Sequence, residues 1–170
     1  VTPHLLVMTA TPIPRTVALT VYGDLETSVL RELPRGRQPI TTNVIFLRED
    51  RERTKPWIDR AWQRIREEVE AGRQAYVVAS RIDESDKESG ELAGPPAKTV
   101  IEMLDYLRRG PLTGLRIGLM HGRLSGDEKD AVMTSFRAAE IDVLVCTTVI
   151  EVGVDVPNAT VMFVMDADRF

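Results

Sequence analysis

Residues 143–158 read VLVCTTVIEVGVDVPN. The apolar run at the start of this stretch predicts a buried strand, and two hydroxyl residues, Thr147 and Thr148, stand where that strand stops. The residues after them predict a short helical segment that ends at Gly153, followed by Asp155. A strand that ends in hydroxyls and opens a helix directs free backbone N–H groups toward an anion, and a phosphodiester fits that description.

Strand and helix patterns alternate along the rest of the chain. The predicted strands are apolar on both faces, which is typical of a parallel sheet covered by helices on both sides. The sequence therefore predicts an α/β fold. The expected strands cover residues 40–47, 75–79, 115–120, 141–146 and 160–165.

Several local signals place the helices and the core. Pro56 lies near the expected first turn of one helix, and Trp62 falls on its apolar face, which favours a core residue over a base-stacking platform. Ser125 and Glu128 form a capping-box pattern at the start of another helix. The single cysteine, Cys146, lies inside an apolar strand and is predicted to be a small buried residue.

Polar residues collect where three of the predicted strands end. The carboxyl ends of parallel strands meet at one edge of the sheet, which is where open α/β sheets bind their ligands. The residues that this argument brings together from distant parts of the chain are Ser80, Arg81, His121, Gly122, Arg123, Thr147 and Thr148.

Composition limits the function classes. The 170 residues are 43% hydrophobic and carry a formal net charge of −4, with a pI of about 5.3. A compact basic DNA-binding domain would be far more positive, so strong DNA binding by this chain alone is not expected. No apolar run is long enough to span a bilayer and no signal peptide is visible, which together with one cysteine predicts a cytoplasmic protein.

Three segments carry a resemblance to a known family. Residues 147–158 resemble motif V of the superfamily 2 helicases, and residues 8–16, MTATPIPRT, resemble motif III. Residues 22–37 are similar to the linker that joins the two motor lobes of RecG-type DNA helicases. The three segments occur in family order and span nearly the whole chain.

The resemblance implies a fold and a domain division. It implies a RecA-like lobe of the P-loop NTPase type, the second motor lobe, over residues 37–170. Residues 1–36 would be the tail of the first RecA-like lobe and the linker between the lobes. The implied parent is an ATP-dependent double-stranded-DNA translocase that acts on stalled replication forks and Holliday junctions in recombination and repair.

The resemblance also implies roles for particular residues near the nucleotide. Gly153 and Asp155, helped by Glu151, would approach a nucleotide bound between the lobes. Thr9 and Thr11 would couple the nucleotide site to the DNA site. Simpler interpretations remain for some of them, since Gly153 could only end a helix and Glu151 could only be solvated.

The DNA contacts implied by the resemblance come from the polar strand ends. Thr147 would hold a phosphate of the tracked strand, although it could also serve as a helix N-cap. His121 lies in a His-Gly element near the expected nucleic-acid path, and it could equally be a turn residue. Arg81 and Arg123 would neutralise phosphates, unless they are ordinary solvated arginines.

The chain lacks most of the catalytic machinery of such an enzyme. Its sequence contains no Gly-x-x-x-x-Gly-Lys-Ser/Thr loop, no acidic box for Mg²⁺ and no arginine-finger motif. ATP and Mg²⁺ would be cofactors of the full-length parent, and the 170-residue chain alone is predicted to be inactive. No catalytic residue and no metal ligand is assigned within it.

The expected partners are branched double-stranded DNA and the first RecA-like lobe of the same chain, with a single-stranded-DNA-binding protein as a further candidate. A membrane is not expected, and the family suggests a bacterial source. Two alternatives stay open at this point. One is a transcription-repair coupling translocase, and the other is a non-catalytic α/β module for nucleic-acid binding or interaction.

Overall fold

A computed structural model describes residues 4, 6, 8, 28–32, 35–47, 51–79, 100–147 and 155–167. The chain divides into two units, Val1–Asn43 and Val44–Phe170. All helices and strands of the described residues lie in the second unit. The described residues of the first unit form no helix or strand, and the side chains among them are exposed.

The second unit contains three helices and four strands among its described residues. In chain order they are α1 (Arg51–Glu70), β1 (Gln74–Val78), α2 (Val100–Arg109), β2 (Ile117–Met120), α3 (Gly126–Arg137), β3 (Val143–Cys146) and β4 (Ala159–Val164). The strands form one sheet in the order β2-β3-β1-β4, and each neighbouring pair is parallel. The predicted α/β class is confirmed.

The two faces of the sheet are covered by different helices. On one face, Trp62 and Ile65 of α1 and Met103 and Leu107 of α2 pack on alternate residues of β1 and β3 such as Val77. On the other face, α3 contributes a smaller cluster of Met133 and Phe136 with Tyr76 and Leu144. Because both faces are covered, every residue of β1 and β3 is buried, Cys146 included.

The helix ends follow from local chemistry. The Ser125 hydroxyl accepts from the Glu128 N–H, and the Glu128 carboxylate accepts from the Ser125 N–H at 2.8 Å, so the predicted capping box is present. Helix α1 ends at a turn in which Gly72 has φ +83°, a conformation that glycine adopts without steric cost.

Two expectations about the region before β1 are wrong. Helix α1 begins at Arg51, five residues before Pro56, so the proline lies inside the helix, where it cannot donate a hydrogen bond to the preceding turn. Residues 40–47 form no strand, and Ile40 and Phe46 are 84% and 74% exposed. Their β-branched composition favours a strand, but a strand also needs a neighbour with which to pair, and none of the described strands pairs with them.

Candidate nucleic-acid interface

His121 and Thr147 lie side by side at the carboxyl edge of the sheet. Strands β2 and β3 are neighbours, and their last paired residues are Met120 and Cys146. The chain therefore leaves both strands at the same level, and the Thr147 N–H donates to the Met120 carbonyl at 3.2 Å. The sequence placed these two residues at one edge, and the strand order makes them direct neighbours.

The surroundings of Thr147 limit how it could hold a ligand. Thr147 is only 7% exposed, and its backbone N–H is already used by the Met120 carbonyl. An anion at this position would therefore depend on the hydroxyl of Thr147 rather than on its amide. The sequence predicted that free backbone N–H groups at the end of β3 would bind the anion, and the Thr147 N–H is not one of them.

The imidazole of His121 is oriented by its own turn. Its Nδ1 accepts a hydrogen bond from the Arg123 N–H at 3.2 Å, and its carbonyl accepts from the Leu124 N–H at 3.3 Å. Because Nδ1 is the acceptor, the neutral ring carries its proton on Nε2. The half-buried ring can then offer an N–H donor, which suits a phosphate oxygen.

Gly122 and Arg123 complete the turn after β2, and both are exposed. Within the described ranges, the Arg123 guanidinium forms no ion pair, so it is available to an external anion. The nearby carboxylate of Glu128 is engaged by Ser125, and that hydrogen bond lowers the Glu128 pKa below its ordinary value. The carboxyl edge of the sheet therefore offers hydrogen-bond donors to an anion, and the nearby Glu128 carboxylate already accepts a hydrogen bond from the Ser125 N–H.

Asp155 precedes Val156, which packs on the face of the sheet that α3 covers. Val156 packs against the cluster that contains Tyr76 and Phe136, whereas the Asp155 side chain is exposed. Burial raises the pKa of the Tyr76 phenol, the charges of Cys146 and Asp155 add to the rise, and Arg137 opposes it. An exposed carboxylate on a fixed turn can accept hydrogen bonds from a sugar hydroxyl or pair with an arginine.

The remaining predicted site residues fall outside the part of the chain that the structure describes. They are Thr9, Thr11, Ser80, Arg81, Thr148, Glu151 and Gly153. Within the described part, no group of three or more histidine, cysteine or acidic side chains is placed to hold a metal ion. No helix of the described part is long and apolar enough to cross a membrane.

Sequence reasoning missed two polar residues at the opposite edge of the sheet. Gln74 opens the otherwise apolar strand β1 and is 2% exposed, and Asn158 precedes β4. The only available signal was a glutamine at the start of a buried strand. Asp166 was also missed, and it follows β4 at the carboxyl edge with φ +48°, a left-handed conformation that aspartate tolerates better than most residues.

Comparison with known proteins identifies the class of domain. The helicase conserved C-terminal domain family matches residues 60–169, which include all four strands. The chain therefore belongs to the helicase conserved C-terminal domain family. The parallel sheet with helices on both faces is the RecA-like lobe of that family.

Within this class, the chain is similar to RecG proteins over nearly its whole length. It is 71% identical to the ATP-dependent DNA helicase RecG of Mycobacterium leprae over 99% of the chain, and 46% identical to that of Bacillus subtilis over 99% of the chain. It matches the structure of a RecG bound to a three-way DNA junction with a TM-score of 0.68 and 40% identity, over 95% of the chain. The chain spans 22% of the length of each of these two curated relatives and 18% of the chain in that structure.

Proposed function

We propose that this chain is the second motor lobe of a RecG-type, ATP-dependent double-stranded-DNA translocase that remodels stalled replication forks and Holliday junctions in DNA recombination and repair. The observation that carries the proposal is that His121 and Thr147 directly follow the paired residues Met120 and Cys146 at the carboxyl edge of the sheet, in a chain 71% identical to a RecG helicase. The match to a RecG structure that holds a three-way DNA junction supports branched DNA as the ligand.

The carboxyl edge supplies the contacts to the DNA backbone. The Thr147 hydroxyl, the His121 Nε2–H and the Arg123 guanidinium each suit a phosphate oxygen. Thr148, Ser80 and Arg81 extend this set. Few contacts are sufficient for a motor that grips and releases its track, which is consistent with a chain whose net charge is −4.

The nucleotide is bound by a different part of the same lobe, the segment around Asp155. Asp155 accepts hydrogen bonds from the ribose or pairs with an arginine finger, and Gly153 and Glu151 lie next to it in the chain. Thr9 and Thr11 couple the two sites. Phosphoryl transfer in such motors depends on positioning and on electrostatic stabilisation by Mg²⁺, a P-loop lysine and an arginine finger. The 170 residues contain no P-loop, so the first lobe of the full-length protein provides that half of the site.

The remaining partners follow from this function. The second lobe works against the first lobe of the same chain, and a single-stranded-DNA-binding protein is a further partner at forks. The protein acts in the bacterial cytoplasm. The relatives named above are RecG proteins, which supports RecG over the transcription-repair coupling alternative.

The test is ATP hydrolysis by the full-length protein with a model replication fork, with linear duplex and without DNA. We expect the fork to stimulate hydrolysis well above linear duplex. Equal stimulation by linear duplex would favour the coupling translocase. No hydrolysis under any condition would favour a non-catalytic module.

A further inference from the structure

We propose that Gln74 and Asn158 act as a clamp that positions Asp155 and thereby sets the affinity of the protein for its nucleotide. This inference rests on the proposed function, because it takes Asp155 to contact the nucleotide. Gln74 and Asn158 are positioning residues in this proposal, because Gln74 is buried and the Asn158 amide donates to Gln74 and to the Gly72 carbonyl. We refer to the two side chains as the Gln74–Asn158 clamp.

Gln74 is the buried half of the clamp. Its Nε2 donates to the carbonyls of Phe136 at 2.6 Å and Ile141 at 2.7 Å, which joins β1 to the end of α3 and to the loop before β3. Its backbone N–H donates to the Asn158 carbonyl at 2.9 Å. A buried amide costs free energy unless its polar atoms are satisfied, and here both amide hydrogens have partners.

Asn158 closes the clamp from the side of β4. Its Nδ2 donates to Gln74 Oε1 at 3.0 Å and to the Gly72 carbonyl at 3.1 Å. Asn158 is therefore held by a side chain of β1 and by the turn between α1 and β1. The two residues are 84 positions apart in the chain, so the contact is purely tertiary.

The clamp lies where the regular ladder between β1 and β4 is interrupted. Gln74 pairs with Ala159 but Ala75 pairs with Val161, so Thr160 is an extra residue in β4. Such an irregularity leaves a residue unpaired and locally disrupts the ladder. The clamp replaces the missing ladder contacts and fixes where β4 begins.

Fixing the start of β4 also fixes Asp155. The Ala159 N–H donates to the Val156 carbonyl at 2.9 Å, which closes a turn directly after Asp155. Val156 packs against Tyr76 and Phe136 on the same side of the sheet. With Asn158 held and Val156 packed, the backbone on the β4 side of Asp155 is fixed. A carboxylate on a fixed backbone binds its ligand with a smaller loss of conformational entropy.

The experiment is Asn158→Ala in the full-length protein, with ATP hydrolysis measured in the presence of fork DNA. We expect the KM for ATP to rise about fivefold to tenfold, which is the effect of one ordinary hydrogen bond. The kcat should stay within about twofold, because the reacting groups are untouched. Deuterium exchange of residues 155–159 without nucleotide should become faster, which reports the clamp independently of activity.

A double mutant separates positioning from general destabilisation. If Asn158 acts through Asp155, then Asp155→Ala with Asn158→Ala should raise the KM no more than Asp155→Ala alone. Additive effects on the KM would overturn the proposal. Arg116→Ala is the matched control, since Arg116 binds Asp142 and the Ala139 carbonyl at the same edge of the sheet without touching residues 155–158. It should lower the melting temperature and leave the KM for ATP unchanged.

The outcomes distinguish the clamp from the function on which it rests. An unchanged KM in Asp155→Ala would refute the nucleotide role of Asp155, and the clamp proposal would fall with it. A raised KM in Asp155→Ala with an unchanged KM and unchanged exchange in Asn158→Ala would refute the clamp alone. A KM raised equally by Arg116→Ala would show general destabilisation and would also refute the clamp.

Discussion

The hydroxyl of Thr160 donates a hydrogen bond of 2.7 Å to the carboxylate of Glu68, which ties β4 to α1. Glu68 is buried, and it also forms ion pairs with Arg73 and Arg64. The hydrogen bond from Arg73, followed by that from Thr160, lowers the pKa of Glu68 from its ordinary 4.5 to about 2. The extra residue in β4 therefore has a structural role of its own, because it supplies this contact.

The first prediction concerns the dependence of stability on pH. The folded pKa of Glu68 is lower than the unfolded one, so the carboxylate contributes stability that is complete above pH 4.5 and is lost as the pH falls toward about 2. Glu68→Gln should therefore lower the free energy of unfolding at pH 7. The variant should also lose less of that free energy than the native chain as the pH falls from 4.5 to about 2. Urea unfolding of the 170-residue chain at a series of pH values measures both. An identical acid slope in the variant and the native chain would contradict this role.

The second prediction concerns the two tryptophans. Trp62 is 3% exposed and stacks on Phe163 with ring centroids 4.3 Å apart, whereas Trp57 is 66% exposed on the same helix. Trp62→Ala should cost about 3–5 kcal/mol of unfolding free energy, the usual loss for an aromatic core residue. Trp57→Ala is the matched control and should change it by less than about 0.5 kcal/mol. Comparable losses in the two variants would contradict the expected contribution of Trp62 burial to stability.

The third prediction concerns the coupling of DNA to hydrolysis. Thr147→Ala in the full-length protein should reduce the stimulation of ATP hydrolysis by fork DNA about tenfold and change the basal rate by less than about twofold, because only the DNA contact is lost. Thr134→Ala is the control, since the Thr134 hydroxyl only donates to the Asp130 carbonyl on the surface of α3. An unchanged response to DNA in Thr147→Ala would remove Thr147 from the interface.

The fourth prediction concerns the chain by itself. The 170 residues lack a P-loop lysine, and a phosphoryl-transfer site without it has no electrostatic clamp for the phosphates. The purified chain should therefore show no magnesium-dependent ATP turnover above a mock preparation. Sustained turnover that follows the chain through purification would contradict the division of labour between the two lobes.

Much of the fold followed from local patterns in the sequence. The apolar runs around Val77 and Val145 predicted two strands, and the spacing of Ser125 and Glu128 predicted the start of α3. These predictions are confirmed because each depends on residues close together in the chain. The prediction of a strand at residues 40–47 was wrong, because a strand must pair with a segment that is distant in the chain and composition does not reveal that partner.

The candidate site was only partly predictable. Residues that end predicted strands, such as His121 and Thr147, could be assigned to one edge of the sheet without knowing the strand order. Gln74 and Asn158 could not be found in this way, because their partners are mostly backbone carbonyls and turns far away in sequence. Whether Ser80, Arg81 and Thr148 join the same edge stays a prediction, because they lie outside the described part of the chain. The nucleotide roles of Glu151 and Gly153 and the coupling roles of Thr9 and Thr11 stay predictions for the same reason.

Apart from the strand expected at residues 40–47, the sequence by itself determined which segments form helices and strands and which polar residues follow the strands. Hydrophobic periodicity, caps and turn residues act over a few positions, so they can be interpreted without a structure. The tertiary structure alone decided the strand order β2-β3-β1-β4, which makes Thr147 a neighbour of His121 and brings Asn158 against Gln74. The physical reason is that strand order is set by packing and hydrogen bonding between distant segments, and no local pattern encodes which segments will meet.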